Sequence, residues 1–135
     1  MSQSGWATEE GTARYVKRFE GRLSAGHFRH QQGVWLSSIG IGTYLGEHDP
    51  ATDGLYRSAV VRTVELGSNV IDSAINYRFQ RSERSIGAAL GELGAKGIGR
   101  SEIVVATKGG FLPFDGAPRV AGIPPTPRGT IPQAV

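Results

Sequence analysis

Asn69-Val70-Ile71-Asp72-Ser73-Ala74-Ile75-Asn76-Tyr77 is the stretch on which the fold turns. Its first four residues form a short β-rich run, and a polar loop follows at once. On the N-terminal side, Asp49-Pro50 offers a helix cap and an N1 proline, with Thr52 or Asp53 as a second start. Leu55, Ala59, Val60, Thr63 and Val64 then share one helical face, and Gly67 closes it. On the C-terminal side, Ser82 is placed to cap a second helix with Ile86, Ala89, Leu90 and Leu93 on its inner face, ended by Gly94. Ile103-Val104-Val105-Ala106-Thr107 is an unbroken apolar run, the pattern of a strand covered on both faces. A further strand is expected around Leu36 to Gly42. The order is strand, helix, strand, helix, strand, with short connections, and right-handed crossovers make such strands parallel neighbours. The class is α/β, either part of a barrel or an open doubly wound sheet, and periodicity alone does not choose.

The flanks differ from this centre. Residues 1–20 are polar and read as an irregular, mobile leader. From Gly21 to Leu45 the chain is rich in Gly, Ser and β-formers. There a short hairpin is expected, turning within Gly26 to Gln32 and leading into the first parallel strand. Gly109-Gly110-Phe111-Leu112-Pro113 opens a long loop, and residues 113–135, with Pro124, Pro125, Pro127 and Pro132, read as a proline-rich loop or an interrupted insertion.

At 135 residues the chain is sized for one domain. A β/α barrel needs roughly 250 residues, so this length does not close one. The net charge is +3, with 15 basic residues spread among 12 acidic ones, which argues against nucleic-acid binding. The cluster Arg78, Arg81 and Arg84 is explained by a phosphate site or a solvated helix start. Cysteine is absent, so disulfide and thiolate chemistry are excluded. The sequence has neither a secretory signal pattern nor a run of about 20 apolar residues, and a cytoplasmic protein is expected. His27 and His30 lack a clustered third ligand and read as surface residues, not a metal site.

In parallel α/β folds, reactive groups gather at the carboxyl ends of the strands. Asp72 ends one strand, Tyr77 follows five residues later, and Lys108 ends the next strand. Singly, each has an ordinary structural reading: a helix cap, a surface anchor, a solvated cation. Together they have a chemical logic. A phenol with a pKa near 10 is a poor acid at neutral pH, a nearby ammonium favours its phenolate, and a carboxylate beside the lysine keeps that ammonium charged and in place. Such a trio suits protonation of a carbonyl oxygen as hydride arrives at carbon.

These residues stand in a wider pattern. Gly40-Ile41-Gly42-Thr43-Tyr44 resembles the glycine-rich segment after the first barrel strand of aldo-keto reductases. Asn69 to Tyr77 resembles the family's strand bearing the catalytic aspartate and tyrosine. Ser82-Glu83-Arg84-Ser85-Ile86-Gly87-Ala88-Ala89-Leu90 resembles its next helix, and Glu102 to Gly109 the strand bearing the catalytic lysine. The resemblance spans about residues 34 to 112. It implies that residues 21–112 are the N-terminal part of a (β/α)8 TIM barrel preceded by a short β-hairpin.

The resemblance further implies an NADPH-dependent reductase acting on a small carbonyl compound. Tyr77 would be its proton donor, with Lys108 and Asp72 lowering the tyrosine's pKa. Gly42, Thr43, Tyr44 and Asp72 would lie near the nicotinamide end of NADP. Tyr44 stands where many members have tryptophan. The family's fourth catalytic residue, a histidine on the following strand, is not matched, because His27, His30 and His48 all precede Asp72. The expectation is therefore a fragment inactive by itself, its unpaired strand edges offering a route to self-association. The alternatives are a non-catalytic truncated chain and a binding module built on the reductase scaffold.

Overall fold

The computed structural model describes residues 5–110 and 114–117. Two antiparallel strands, β1 (Phe28–Gln31) and β2 (Val34–Ser37), form a hairpin preceded by helix α1 (Glu9–Lys17). Then β3 (Gly40–Gly42), α2 (Pro50–Glu65), β4 (Val70–Asp72), α3 (Arg81–Ala95) and β5 (Val104–Ala106) alternate along the chain. The three later strands form one parallel sheet in the order β3-β4-β5, and α2 packs on α3. Strands in sequential order with consecutive helices packed together match the opening of a β/α barrel.

Local chemistry sets the element ends. Asp49 caps α2 by accepting the Thr52 N–H at 2.7 Å, with Pro50 as the first helical residue. The hairpin turns at Gln32-Gly33, both left-handed at φ 49° and 78°, the geometry a two-residue hairpin loop requires. That turn falls at the very end of the Gly26–Gln32 segment expected from sequence, because β1 itself occupies Phe28–Gln31. Helix α3 begins at Arg81, after a left-handed Gln80. Ser82 is thus not its cap and instead donates to the Thr43 carbonyl at 2.6 Å. The helix runs past Gly94 and stops before the left-handed Gly97.

The core collects Val60, Val61 and Val64 of α2, Ile71 of β4, Ile86, Ala89, Leu90 and Leu93 of α3, and Ile103. The α3 face is the one expected. The α2 face is rotated, with Leu55 70% exposed and Ala59 at the surface. At 3.6 residues per turn, Val60, Val61 and Val64 form one compact arc, and Leu55 falls on the opposite side.

The largest departure concerns residues 1–20, read from sequence as an irregular leader. Residues 9–17 are helix α1, capped by the Thr8 hydroxyl at the Gly11 N–H. It is docked, not mobile, because Tyr15 and, just past the helix end, Phe19 complete the core. Tyr15 is fully buried and Phe19 nearly so, their rings 5.1 Å apart. The Tyr15 hydroxyl donates to the Val64 carbonyl, and burial pushes its pKa well above the ordinary tyrosine value. Arg18 then clamps the helix end to the buried Glu102 through hydrogen bonds of 2.7 and 3.0 Å. Only a few residues of this segment are apolar, so its amphipathic character was masked by the charged ones.

Asn69 ties the hairpin to the parallel sheet. Its buried side chain accepts the Ser37 N–H at 2.9 Å and donates to the carbonyls of Trp35 and Glu102 at 2.9 and 3.3 Å. A buried amide with its hydrogen bonds made fixes geometry at little net cost.

Gly11 tests the docking of α1. A methyl at this position would run into the backbone of Ser101. Gly11→Ala is therefore expected to destabilise the chain by about 1–3 kcal/mol through overpacking, although alanine favours an undocked helix by up to about 1 kcal/mol. Chemical denaturation measures the difference, and a neutral or stabilising effect would mean that α1 is not packed here.

Candidate active site

Strand register places the polar residues. Gly40, Val70 and Val104 pair across the sheet, then Ile41, Ile71 and Val105, then Gly42, Asp72 and Ala106. Side chains alternate between faces along a strand. The Ile41-Ile71-Val105 row packs against the core, so the Gly42-Asp72-Ala106 row lies on the other face, at the carboxyl edge. Asp72 is flanked by the two smallest side chains possible, which leaves space around its carboxylate.

Lys108 lies two residues beyond Ala106 and therefore has the same parity. Its ammonium donates to Asp72 Oδ1 at 2.7 Å and to the Ser73 carbonyl at 2.6 Å. The hydrogen bond to Asp72 raises the lysine pKa above its ordinary value, with smaller contributions from the charges of Asp72 and Tyr77. Both side chains are about half exposed, so the pair faces open space at the edge. The Lys108 Nζ is 5.2 Å from the centre of the Tyr77 ring, and the Tyr44 ring meets that of Tyr77 edge-on at 4.9 Å. The structure thus brings together Asp72, Tyr77, Lys108 and Tyr44.

Thr43 has a different part. It is fully buried, and its hydroxyl lies 3.0 Å from the Asp72 carbonyl and 3.0 Å from the Ser73 hydroxyl. Its side chain braces the strand ends from below and leaves its backbone beside Gly42 on the open edge. Ser73 and Ser82, which the sequence reading passed over, complete this brace. Small hydroxyl residues beside a strand end carry no periodic signal that marks them as supports.

Arg78 is the clearest omission. From sequence alone it belongs to a phosphate-binding cluster or a solvated helix start. Instead its side chain is fully buried and paired with Asp53 at 2.7 Å. Arg81 binds the other oxygen of the same carboxylate at 2.6 Å, and Arg84 pairs with Asp115. The backbone of Arg78, Phe79 and Gln80 is left-handed throughout, at φ 48°, 54° and 72°, costing roughly 1–2 kcal/mol per non-glycine residue. The pairing partner lies 25 positions earlier, beyond the reach of any local pattern.

The histidines stay apart from the trio. His27 lies 2.9 Å from the Gly67 carbonyl, His30 is 3.1 Å from Glu9, and His48 packs edge-on against Phe79. Among the described residues, no three potential metal-binding side chains cluster, and no helix is long and apolar enough to cross a membrane.

The aldo/keto reductase family model matches residues 38–128, which contain Thr43, Tyr44, Asp72, Tyr77 and Lys108. This chain belongs to the aldo/keto reductase family. An NADH-specific methylglyoxal reductase of Escherichia coli (strain K12) is 36% identical to it over 84 residues, a stretch covering 58% of this chain and 24% of that protein. The matched stretch is thus about a quarter of that relative's length. No solved structure matches the chain.

The ion pair at the strand edge makes a direct prediction. Asp72→Asn removes the largest cause of the raised Lys108 pKa, so the lysine should titrate at lower pH than in the parent chain. A side-chain amine titration followed by nitrogen NMR measures this. An unchanged midpoint would show that the two groups are not paired in solution.

Proposed function

We propose that this aldo/keto reductase chain contributes the acid–base corner of a reductase that converts a small aldehyde or ketone to an alcohol with NADPH. The observation that carries the reading is the Lys108 ammonium, held 2.7 Å from Asp72 and 5.2 Å from the Tyr77 ring centre at one strand edge. The edge residues fit a nicotinamide ring. A side chain built onto Gly42 would meet nothing within 4 Å, and Thr43 turns its hydroxyl inward, so a flat backbone shelf lies open beside Asp72. Gly42, Thr43, Tyr44 and Asp72 would hold that end of the cofactor. When bound, the reduced nicotinamide supplies hydride to the carbonyl carbon.

The chain's own residues supply the rest. Tyr77 donates the phenolic proton to the carbonyl oxygen as charge develops there. Lys108, kept charged by Asp72, offers positive charge beside the phenol that gives up the proton. Tyr44, 64% exposed, stands against Tyr77 as a wall for the substrate. NADPH is the cofactor of this reading. The E. coli relative is named for NADH specificity, which makes NADH the competing cofactor. The outer edges of β3 and β5 have no strand neighbour among the described residues, which supports self-association through them.

Two measurements test this reading. A thermal melt of the chain with excess NADPH, and separately NADH, is expected to shift little, since the edge residues grip only one end of a dinucleotide. A dissociation constant in the low micromolar range would overturn that expectation, and the larger shift of the two would identify the preferred cofactor. Wherever this chain takes part in turnover of an aldehyde, Tyr77→Phe should lower that turnover by about 100-fold or more, with cofactor affinity nearly unchanged. Retained turnover in that variant would remove Tyr77 from the acid role.

A further inference from the structure

We infer that Arg78 is a positioning residue for Tyr77, a role that rests on the acid assignment above. Directly after Tyr77 the chain takes a left-handed course through Arg78, Phe79 and Gln80. Glycine adopts that conformation freely, and a long side chain does not. Something must hold the turn: Phe79 and Gln80 bond the backbone of Gly116 and Phe114, and toward the Tyr44 side it is the Arg78 guanidinium that is held.

That guanidinium is sealed from solvent. Its Nε and Nη2 donate to the Glu47 carbonyl at 2.9 and 2.7 Å, and Nη2 also reaches Asp53 Oδ1 at 2.7 Å. The Tyr56 ring lies under it, 5.0 Å from the guanidinium carbon, and the Tyr56 hydroxyl donates to the Leu45 carbonyl at 2.5 Å. Every one of these partners lies on the loop after β3 or at the start of α2. Tyr44, the residue before Leu45, is the one whose ring meets Tyr77. Arg78 thus locks the loop that carries Tyr77 onto the loop that carries Tyr44.

A merely stabilising residue would not have to be an arginine here. Nη1 is buried without a hydrogen-bond partner, and burying a charged fork is costly unless its geometry is needed. The planar fork is suited to the fixed angles of the Glu47 carbonyl and the Asp53 carboxylate, which a lysine meets only in part. The consequence of the clamp is a Tyr77 ring held over Lys108 before any ligand arrives, in line with the preorganisation that general acids depend on.

The test separates position from stability. Arg78→Gly relieves the left-handed backbone while removing the clamp, and Asp53→Asn weakens the clamp without touching the turn. In each, thermal melts report folding, and nuclear Overhauser contacts from the Tyr77 ring to Tyr44 and to the Lys108 side chain report position. The expected result is a folded variant in which those contacts are lost, partly restored in Arg78→Lys. With turnover, kcat should fall about tenfold or more while KM changes little. Folded variants that keep both ring contacts would overturn the inference, and so would failure of all three to fold, which would make Arg78 a stability residue. Turnover or its absence in the parent chain bears only on the proposed function, and the ring contacts decide the role of Arg78.

Discussion

Strand β4 is hydrogen-bonded on both edges, to β3 and to β5, in parallel and without a slip, and each functional group depends on that register. Because side chains alternate along a strand, a one-residue shift would turn Asp72 toward the helices and bring Ile71 to the open face. The register also determines where Lys108 emerges. It lies two residues past the partner of Asp72, close enough for a direct hydrogen bond. The same short strands would be weak alone, and they are held by the apolar row at Ile71 and by the packed pair α2 and α3.

Polar groups placed inside the molecule extend this arrangement. Asn69 joins the hairpin to the sheet, and Glu102 receives Arg18 from α1 while capping the Gly99 N–H. Thr43, Ser73 and Ser82 form a chain of hydroxyl contacts beneath the strand ends. These are satisfied groups in a low-dielectric setting, where a missing partner is costly and a made bond restricts geometry. Rigid support under the edge and open space above it are what a site for a flat cofactor and a small substrate calls for.

Much of this was legible from sequence. The alternation of strand and helix follows from apolar periodicity, and Asp49-Pro50 marks a helix start by local chemistry alone. The rim position of Asp72 and Lys108 follows from their place after β-rich runs, and the family resemblance gave Tyr77 its partners. Other features were hidden for definable reasons. The α1 segment carries Glu9, Glu10, Arg14, Lys17 and Arg18 on its exposed side, and these outweigh the buried Tyr15 and Phe19 in any local average. Leu55 and Val60 are both apolar, and only the packing against α3 shows which arc of α2 is inside.

The sequence by itself determined the alternation of strand and helix from β3 to β5, the Asp49-Pro50 start of α2 and the residue types available for chemistry, because each depends on neighbours within a few positions. The tertiary structure alone decided three things: that β3, β4 and β5 lie in one parallel register, that α1 seals the core, and that Arg78 is buried on Asp53. Each of these is a contact between distant positions, settled by which surfaces fit together once the chain has closed its loops. Local pattern gives the pieces, and burial of apolar area with satisfied polar groups selects their arrangement.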